Sequence, residues 1–250
     1  MGDHDDDARG SLLPARERTR ARRLFDEYAR PFAREALYRS LTPGPRAKWL
    51  LAAVHQAHSI SREALEWGLR SFVATPTFLS LCAVHGDEIA VDHVPYIAGR
   101  PRLEVGSRVR ISGQIDILAA WDGDPVLRLG SGVFIGHRTT FAIGQLVQIG
   151  DYSSIGPGCY IADTDGHSHA VLDVPIWADR PAKRSVAPVV IEDNVHVARG
   201  CVILKGVRIG ARSMIGAGAV VRSDVPPGSV IMGNPGRPAA WRRATPTEGG

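Results

Sequence analysis

The chain has 250 residues, enough for one large domain or a main domain with a smaller appendage. Aromatics make up only 6% of it while glycine and β-branched residues are plentiful, which points away from a helical bundle and toward stacked short strands. Three scattered cysteines argue against a disulfide framework, no apolar run has the roughly 18 residues of a membrane span, and the net charge of +4 comes without a nucleic-acid-binding motif.

In chain order, residues 1–10 (MGDHDDDARG) are acidic and lack an apolar core, so they read as a disordered tail rather than a secretory signal. A cytoplasmic protein is expected. Residues 11–80 read as a helical region. Leu24, Phe25, Tyr28 and Phe32 recur at helical spacing from Glu17 to Tyr38, and TPGP at 42–45 marks a turn. A second helix is expected to hold Trp49, Leu50, Val54 and Ala57. Ser61 is expected to N-cap a third, carrying Leu65, Leu69 and Phe72.

The grammar then changes, and 81–242 forms the main domain, followed by a flexible tail at 243–250. Ile191, Val197, Ile203, Ile209, Ile215 and Val221 stand six residues apart. Small or apolar residues (Val195, Cys201, Val207, Ser213, Ala219, Val225) follow each by four. The spacing recurs at Ile143, Ile149, Ile155 and Ile161, at Val105, Ile111 and Ile117, and at Leu129 and Ile135. A period of six fits neither helix nor simple strand; it is an internal repeat and so a solenoid. Three short sides, each with one inward aliphatic, make a triangular coil whose neighbours join through parallel hydrogen bonds. Three hexads per coil give roughly five coils. Cys159 and Cys201 fall at small inward positions, as core fillers, not nucleophiles.

The stretches IGDYSSIGPGCYIADTDGH (149–167), APVVIEDNVHVARGCVILKGVRIG (187–210) and IGAGAVVRSDVPPGSVIMGNPGRP (215–238) resemble the hexapeptide-repeat acyltransferases, above all the maltose, galactoside and nodulation-factor sugar O-acetyltransferases. ERTRARRLFDEYAR (17–30) is similar to the helical region before their β-helix. The resemblance implies a left-handed parallel β-helix, a homotrimer with sites between subunits, and acetyl-CoA as donor with no metal. It also implies that His167, opening an external loop at about 166–186, is the general base. The chemistry asks for such a group: a thioester is already activated, whereas a hydroxyl attacks only once something accepts its proton, and imidazole titrates near ~6.5. His169 is a second candidate for that role. Asp163 or Asp165 would orient the imidazole or else simply turn a coil corner.

On the same resemblance Ala217 lines the pantetheine path, with Arg222, Ser223 and Arg237 toward the nucleotide; Arg199 and Arg242 are further phosphate partners. Arg222-Ser223 stand where the sugar branch often has Thr-Lys, and His196 where it has Trp. Its acceptor-binding Asn is missing, leaving His137, Arg138 and Thr139 in that neighbourhood. Asp26 or Glu27 and the loop's Trp177 are the remaining acceptor candidates; Arg180, Lys183 and Arg184 add charge to the loop.

The expected function is O-acetylation of a sugar or glycan precursor. GDYSSIGPG (150–158) also resembles the antibiotic-modifying acetyltransferases, and N-acetylation of an amino sugar stays open. Two other classes share the solenoid: a γ-type carbonic anhydrase using His137, His167, His169 and His196, and a non-catalytic binding scaffold. The paired histidines of the first, five residues apart, are missing here.

Overall fold

The structure is a computed structural model and describes residues 44–121, 123–166 and 186–239. It divides into two units, Met1–Ile60 and Ser61–Gly250. The helix expected over 17–38 lies outside the described residues, and the described part of the first unit is helical from Pro45.

The two helices expected next are one. α1 runs unbroken from Pro45 to Leu69, so Ser61 is not an N-cap but a mid-helix residue. A serine caps only where backbone N–H groups lack partners, and here the preceding turn already supplies them. Past Leu69 the backbone widens: over Arg70–Ala74 it makes a π turn, in which the Thr75 N–H bonds the Arg70 carbonyl. α2 (Thr75–Leu81) then resumes. Pro76 gives the reason. It has no N–H, and its ring would strike the carbonyl four residues back in a regular helix, so one wider turn relieves the collision. α2 delivers Phe78, fully buried, into the core.

Three sheets follow, each side of a prism contributing one strand per coil. Sheet P stacks Cys82–His85, Arg102–Val105, Val126–Leu129, Leu146–Ile149, Val189–Ile191 and Arg208–Ile209. Sheet Q runs from Ala90–Val91 through Arg110–Ile111, Phe134–Ile135, Ser154–Ile155, His196–Val197 and Met214–Ile215 to Val230–Met232. Sheet R stacks Tyr96–Ala98, Asp116–Ala119, Thr140–Ile143, Tyr160–Ala162, Val202–Ile203 and Val220–Val221. Pairing is parallel until Arg237–Pro238 returns antiparallel on Val230–Met232 and closes the stack. The solenoid is therefore mainly β, and the interior is a set of aliphatic ladders such as Val105–Leu129–Ile149–Ile191–Ile209.

Two sequence expectations need correction. There are about six coils rather than five, because the first, Cys82–Ala98, hides its rung. His85 pairs with Val105 where an aliphatic residue would have continued the ladder, and the register slips within that strand pair. The second correction is of phase. Phe141, not Ile143, stacks between Ile117 and Ile161. Ile143 is buried two residues further on, because strand alternation turns it inward as well.

The corners are held by local chemistry. At the P–Q edge the chain turns through the left-handed region at Glu88, Arg108, Tyr152, Asn194 and Arg212, with φ between 55° and 59°. Gly132 takes the same turn between Arg108 and Tyr152, and a Cβ there would lie 2.6 Å from the Tyr152 ring. Arg108 can therefore reach across it, donating to Tyr152 Oη at 2.9 Å. On this edge side-chain oxygens also accept from the coil before: Ser131 Oγ from Ser107 N–H, Asp151 Oδ1 from Ser131 N–H, and Asp193 Oδ1 from Asp151 N–H.

Candidate active site

The regular coil is interrupted at the R–P edge, between Asp163 and Val186. The two ends of the interruption form a stem. Thr164 and Val186 form an antiparallel bridge, Ala187 N–H donates to the Asp163 carbonyl, and Gly166 N–H donates to Thr164 Oγ1. His167, His169, Trp177, Arg180, Lys183 and Arg184 lie outside the described residues, as do Asp26, Glu27 and Arg242. His167 directly follows Gly166, whose φ of 78° turns the chain in a way that suits glycine.

Beneath the stem sits Asp163, fully buried. Its Oδ1 accepts from Gly144 N–H at 2.5 Å; its Oδ2 accepts from Gln145 N–H at 2.7 Å and Leu146 N–H at 2.6 Å. In the fold this carboxylate has a scaffold role. Both oxygens already hold the turn of the preceding coil, and three N–H groups would be left unpaired without them. Gly144 makes the fit, since a Cβ there would lie 2.5 Å from Val186 Cγ1 and 3.3 Å from Asp163 Oδ1.

Asp165 is placed differently. It is part-exposed at the stem and pairs with the Lys205 ammonium from the next coil. Sequence reasoning missed Lys205, although the signal was present. Ile161 stacks on Ile203, so counting onward two to four residues brings Asp163 and Asp165 beside Lys205 at one corner.

The remaining candidates separate into groups. Arg222 and Ser223 share the R–P edge with the loop stem, one coil beyond Lys205, and both are exposed. His137, Arg199 and Ala217 occupy the Q–R edge in successive coils, with Pro157 between the first two. The bonds Gly158 N–H to His137, Gly200 N–H to Pro157 and Gly218 N–H to Arg199 link them. Arg138 adjoins His137 with φ 58°. Thr139 is fully buried and donates to the Gly156 carbonyl, so it belongs to the scaffold. Arg237 lies in the returning strand that closes sheet Q. The structure thus joins the proposed acceptor residues His137 and Arg138 to the proposed cofactor residues Arg199 and Ala217. It places Arg222 and Ser223 on another edge.

His196 stands on the outer face of sheet Q, with its Nδ1 2.6 Å from Ser154 Oγ. Among the described residues no group of three or more His, Cys, Asp or Glu side chains is arranged to hold a metal ion. Cys159 and Cys201 are buried on successive coils. The hydrogen bond that Cys159 donates to Cys201, together with burial, pushes the Cys159 thiol well above its ordinary range, and the same bond lowers its partner Cys201; both sit in the core with the aliphatic ladders.

Residues 188–223 match the family model described as bacterial transferase hexapeptide (six repeats). That segment carries the hexapeptide repeat described for bacterial transferases. A Schizosaccharomyces pombe protein named as an acetyltransferase is 30% identical over 125 residues, half of this chain and 58% of its own length. Serine acetyltransferase of Synechococcus elongatus is 34% identical over 116 residues, 45% of this chain and 40% of its own. The chain therefore spans about half the length of these relatives. Among solved structures, an N-acyltransferase of Bacillus cereus, held with dTDP-4-amino-4,6-dideoxyglucose and coenzyme A, superposes with a TM-score of 0.53 at 16% identity. That match covers 70% of this chain and 92% of the other, and it shows the shared fold.

Proposed function

We propose that this protein is a coenzyme-A-dependent O-acetyltransferase whose acceptor is a hydroxyl of a sugar or glycan precursor, with His167 as general base. The imidazole accepts the hydroxyl proton as the oxygen attacks the thioester carbonyl. A tetrahedral oxyanion forms, and backbone N–H groups are the natural donors to it. Collapse breaks the carbon–sulfur bond, and the imidazolium returns its proton to the departing thiolate. No covalent enzyme intermediate is needed.

One observation carries the reading: a transferase-type hexapeptide solenoid interrupted at a clamped stem that ends on Gly166, immediately before His167. Acetyltransferase names among the relatives support the reaction class, and coenzyme A in the Bacillus cereus structure supports the donor. Ala217 and Arg199 on one edge, Arg222 and Ser223 on the next, and Arg237 at the closing strand are the residues we assign to coenzyme A. Small side chains admit the pantetheine, and guanidinium groups suit its phosphates. His137 and Arg138, with Asp26, Glu27 and Trp177, are assigned to the acceptor. A homotrimer in the cytoplasm, with a helical region at 11–80 preceding the β-helix at 81–242, completes the proposal. Among the described residues no helix is long and apolar enough to cross a membrane.

The test is a screen of acetyl-CoA consumption against sugars, glycan intermediates and aminocyclitols, repeated with His167→Ala. Loss of a general base should lower turnover by ~10²–10⁴. Unchanged transfer in that variant would sink the mechanism. A second reading, N-transfer to an amino sugar, draws on the amino-sugar nucleotide in the Bacillus cereus structure. It predicts amide products that resist mild alkaline hydrolysis, whereas esters do not. Stoichiometric zinc or iron in the purified protein would favour the carbonic-anhydrase alternative.

A further inference from the structure

A cleft of about 400 Å³ lies within the second unit, away from the loop stem, where the last turns of α1 meet the first two coils. Glu63, Glu66 and Trp67 line it from the helix, Arg70 from the π turn, and Asp92, His93 and Arg110 from the solenoid. Its volume is in the range that holds a small ligand, and ligand sites of this kind combine an apolar wall with a few fixed polar groups.

The floor is tied down. Asp92 Oδ2 accepts from Arg110 Nη2 at 3.1 Å and from Gly113 N–H at 3.1 Å, and its Oδ1 lies 3.0 Å from the same Arg110 nitrogen. Arg70 Nη1 lies 3.6 Å from Asp92 Oδ1. Trp67 forms the wall. Its indole meets the Phe72 ring edge-to-face at 5.9 Å and 88°, yet 56% of the residue stays exposed. That leaves apolar surface available to a ligand.

Charge decides what could bind. Both guanidinium groups already serve Asp92, and the carboxylates of Glu63 and Glu66 line the same space, Glu66 paired with Arg62 at 3.3 Å. A phosphate or carboxylate ligand would meet repulsion with little free positive charge to offset it. A wholly apolar ligand would strip water from five charged side chains. A pyranose fits both constraints: its C–H face can lie on the Trp67 indole while its rim of hydroxyls donates to the carboxylates and accepts from the guanidinium N–H groups.

We propose that this cleft is a second saccharide subsite, holding a neutral or amino-bearing pyranose unit of a longer acceptor remote from the transferred hydroxyl. The proposal rests on the reading that the acceptor is a sugar or glycan. It adds to that reading a preference for oligosaccharides over monosaccharides.

The experiment has a binding arm and a transfer arm. The full-length protein and its Trp67→Ala, Trp67→Phe and Glu63→Gln variants are titrated with maltohexaose, chitohexaose, its deacetylated glucosamine counterpart and an oligogalacturonate, read by saturation-transfer NMR. Circular dichroism confirms that each variant is folded. Neutral and amino oligosaccharides should bind, Trp67→Ala should weaken them by about tenfold or more, and Trp67→Phe should restore most of that loss. Glu63→Gln should weaken the glucosamine oligomer selectively, and the uronate should fail to bind. Saccharide binding that ignores Trp67, no binding at all, or equal binding of the uronate overturns the subsite. In the transfer arm, Trp67→Ala should raise KM for oligosaccharides while leaving monosaccharide acetylation unchanged. Trp67-dependent binding without acetyl transfer to any saccharide would defeat the proposed function and leave the subsite standing. Transfer that is insensitive to Trp67 at every chain length would do the reverse.

Discussion

Asp163 is a single buried carboxylate on which the turn of a coil depends. From sequence it stood equally as a catalytic partner or a corner residue, since both uses favour aspartate beside a turn. Three backbone N–H groups converge on its two oxygens, which gives it a scaffold role, and stability measured beside transfer tells that role from a catalytic one. Asp163→Ala should destabilise the folded protein by about 3 kcal/mol or more, given the cost of leaving buried donors unpaired. Asp163→Asn should fall between, because its amide keeps one acceptor but turns donor hydrogens toward an N–H group. Chemical denaturation of both variants checks this. A catalytic orienting role would give the opposite pattern: near-normal stability in Asp163→Asn with lost transfer and an altered pH–rate profile.

At the scale of elements, the ladders were legible because each side of a coil exposes one inward residue to a strict repeat. Ile191 to Val221 could be counted straight off the chain. Phase was harder to read where alternation buries two residues on one strand, as Phe141 and Ile143 do. The first coil was illegible as a repeat because His85 occupies its rung, and α1 was split because Ser61 looks like a cap in isolation. The cleft beside Trp67 could not be read at all, since its walls join only when a helix and two coils are folded together. Phe141 supplies a test of the ladder. As a fully buried ring stacked between Ile117 and Ile161, it should cost about 3–5 kcal/mol when changed to Ala. Urea denaturation should show that loss, with the slope unchanged if the solenoid still unfolds as one unit.

For the whole molecule, coils adhere mainly through backbone pairing and the aliphatic interior, but sheet P adds charged ties on its outer face. Glu104 bonds Arg128 from the next coil at 2.7 Å, and Glu192 bonds Arg208 likewise at 2.7 Å. The hydrogen bond from Arg128 holds Glu104 below the usual carboxylate range, with Arg102 contributing. Glu192 is lowered first by the Ala211 N–H and then by Arg208. A carboxylate whose pKa is depressed in the folded state stabilises fully above its unfolded value, near ~4.3, and loses that contribution as pH falls through the lower folded value. Thermal stability should therefore be level on the carboxylate account from neutral pH down to about 5 and decline below it. The Glu104→Gln, Glu192→Gln double variant should be slightly less stable at pH 7 and should decline less steeply in acid, converging with the parent at low pH. Both groups are partly exposed on the outer face of the sheet, so the separation should be small and should shrink further in high salt. Melting curves across pH at low and high ionic strength measure it. Parallel curves for parent and variant would show that these ties do not contribute to holding the coils together.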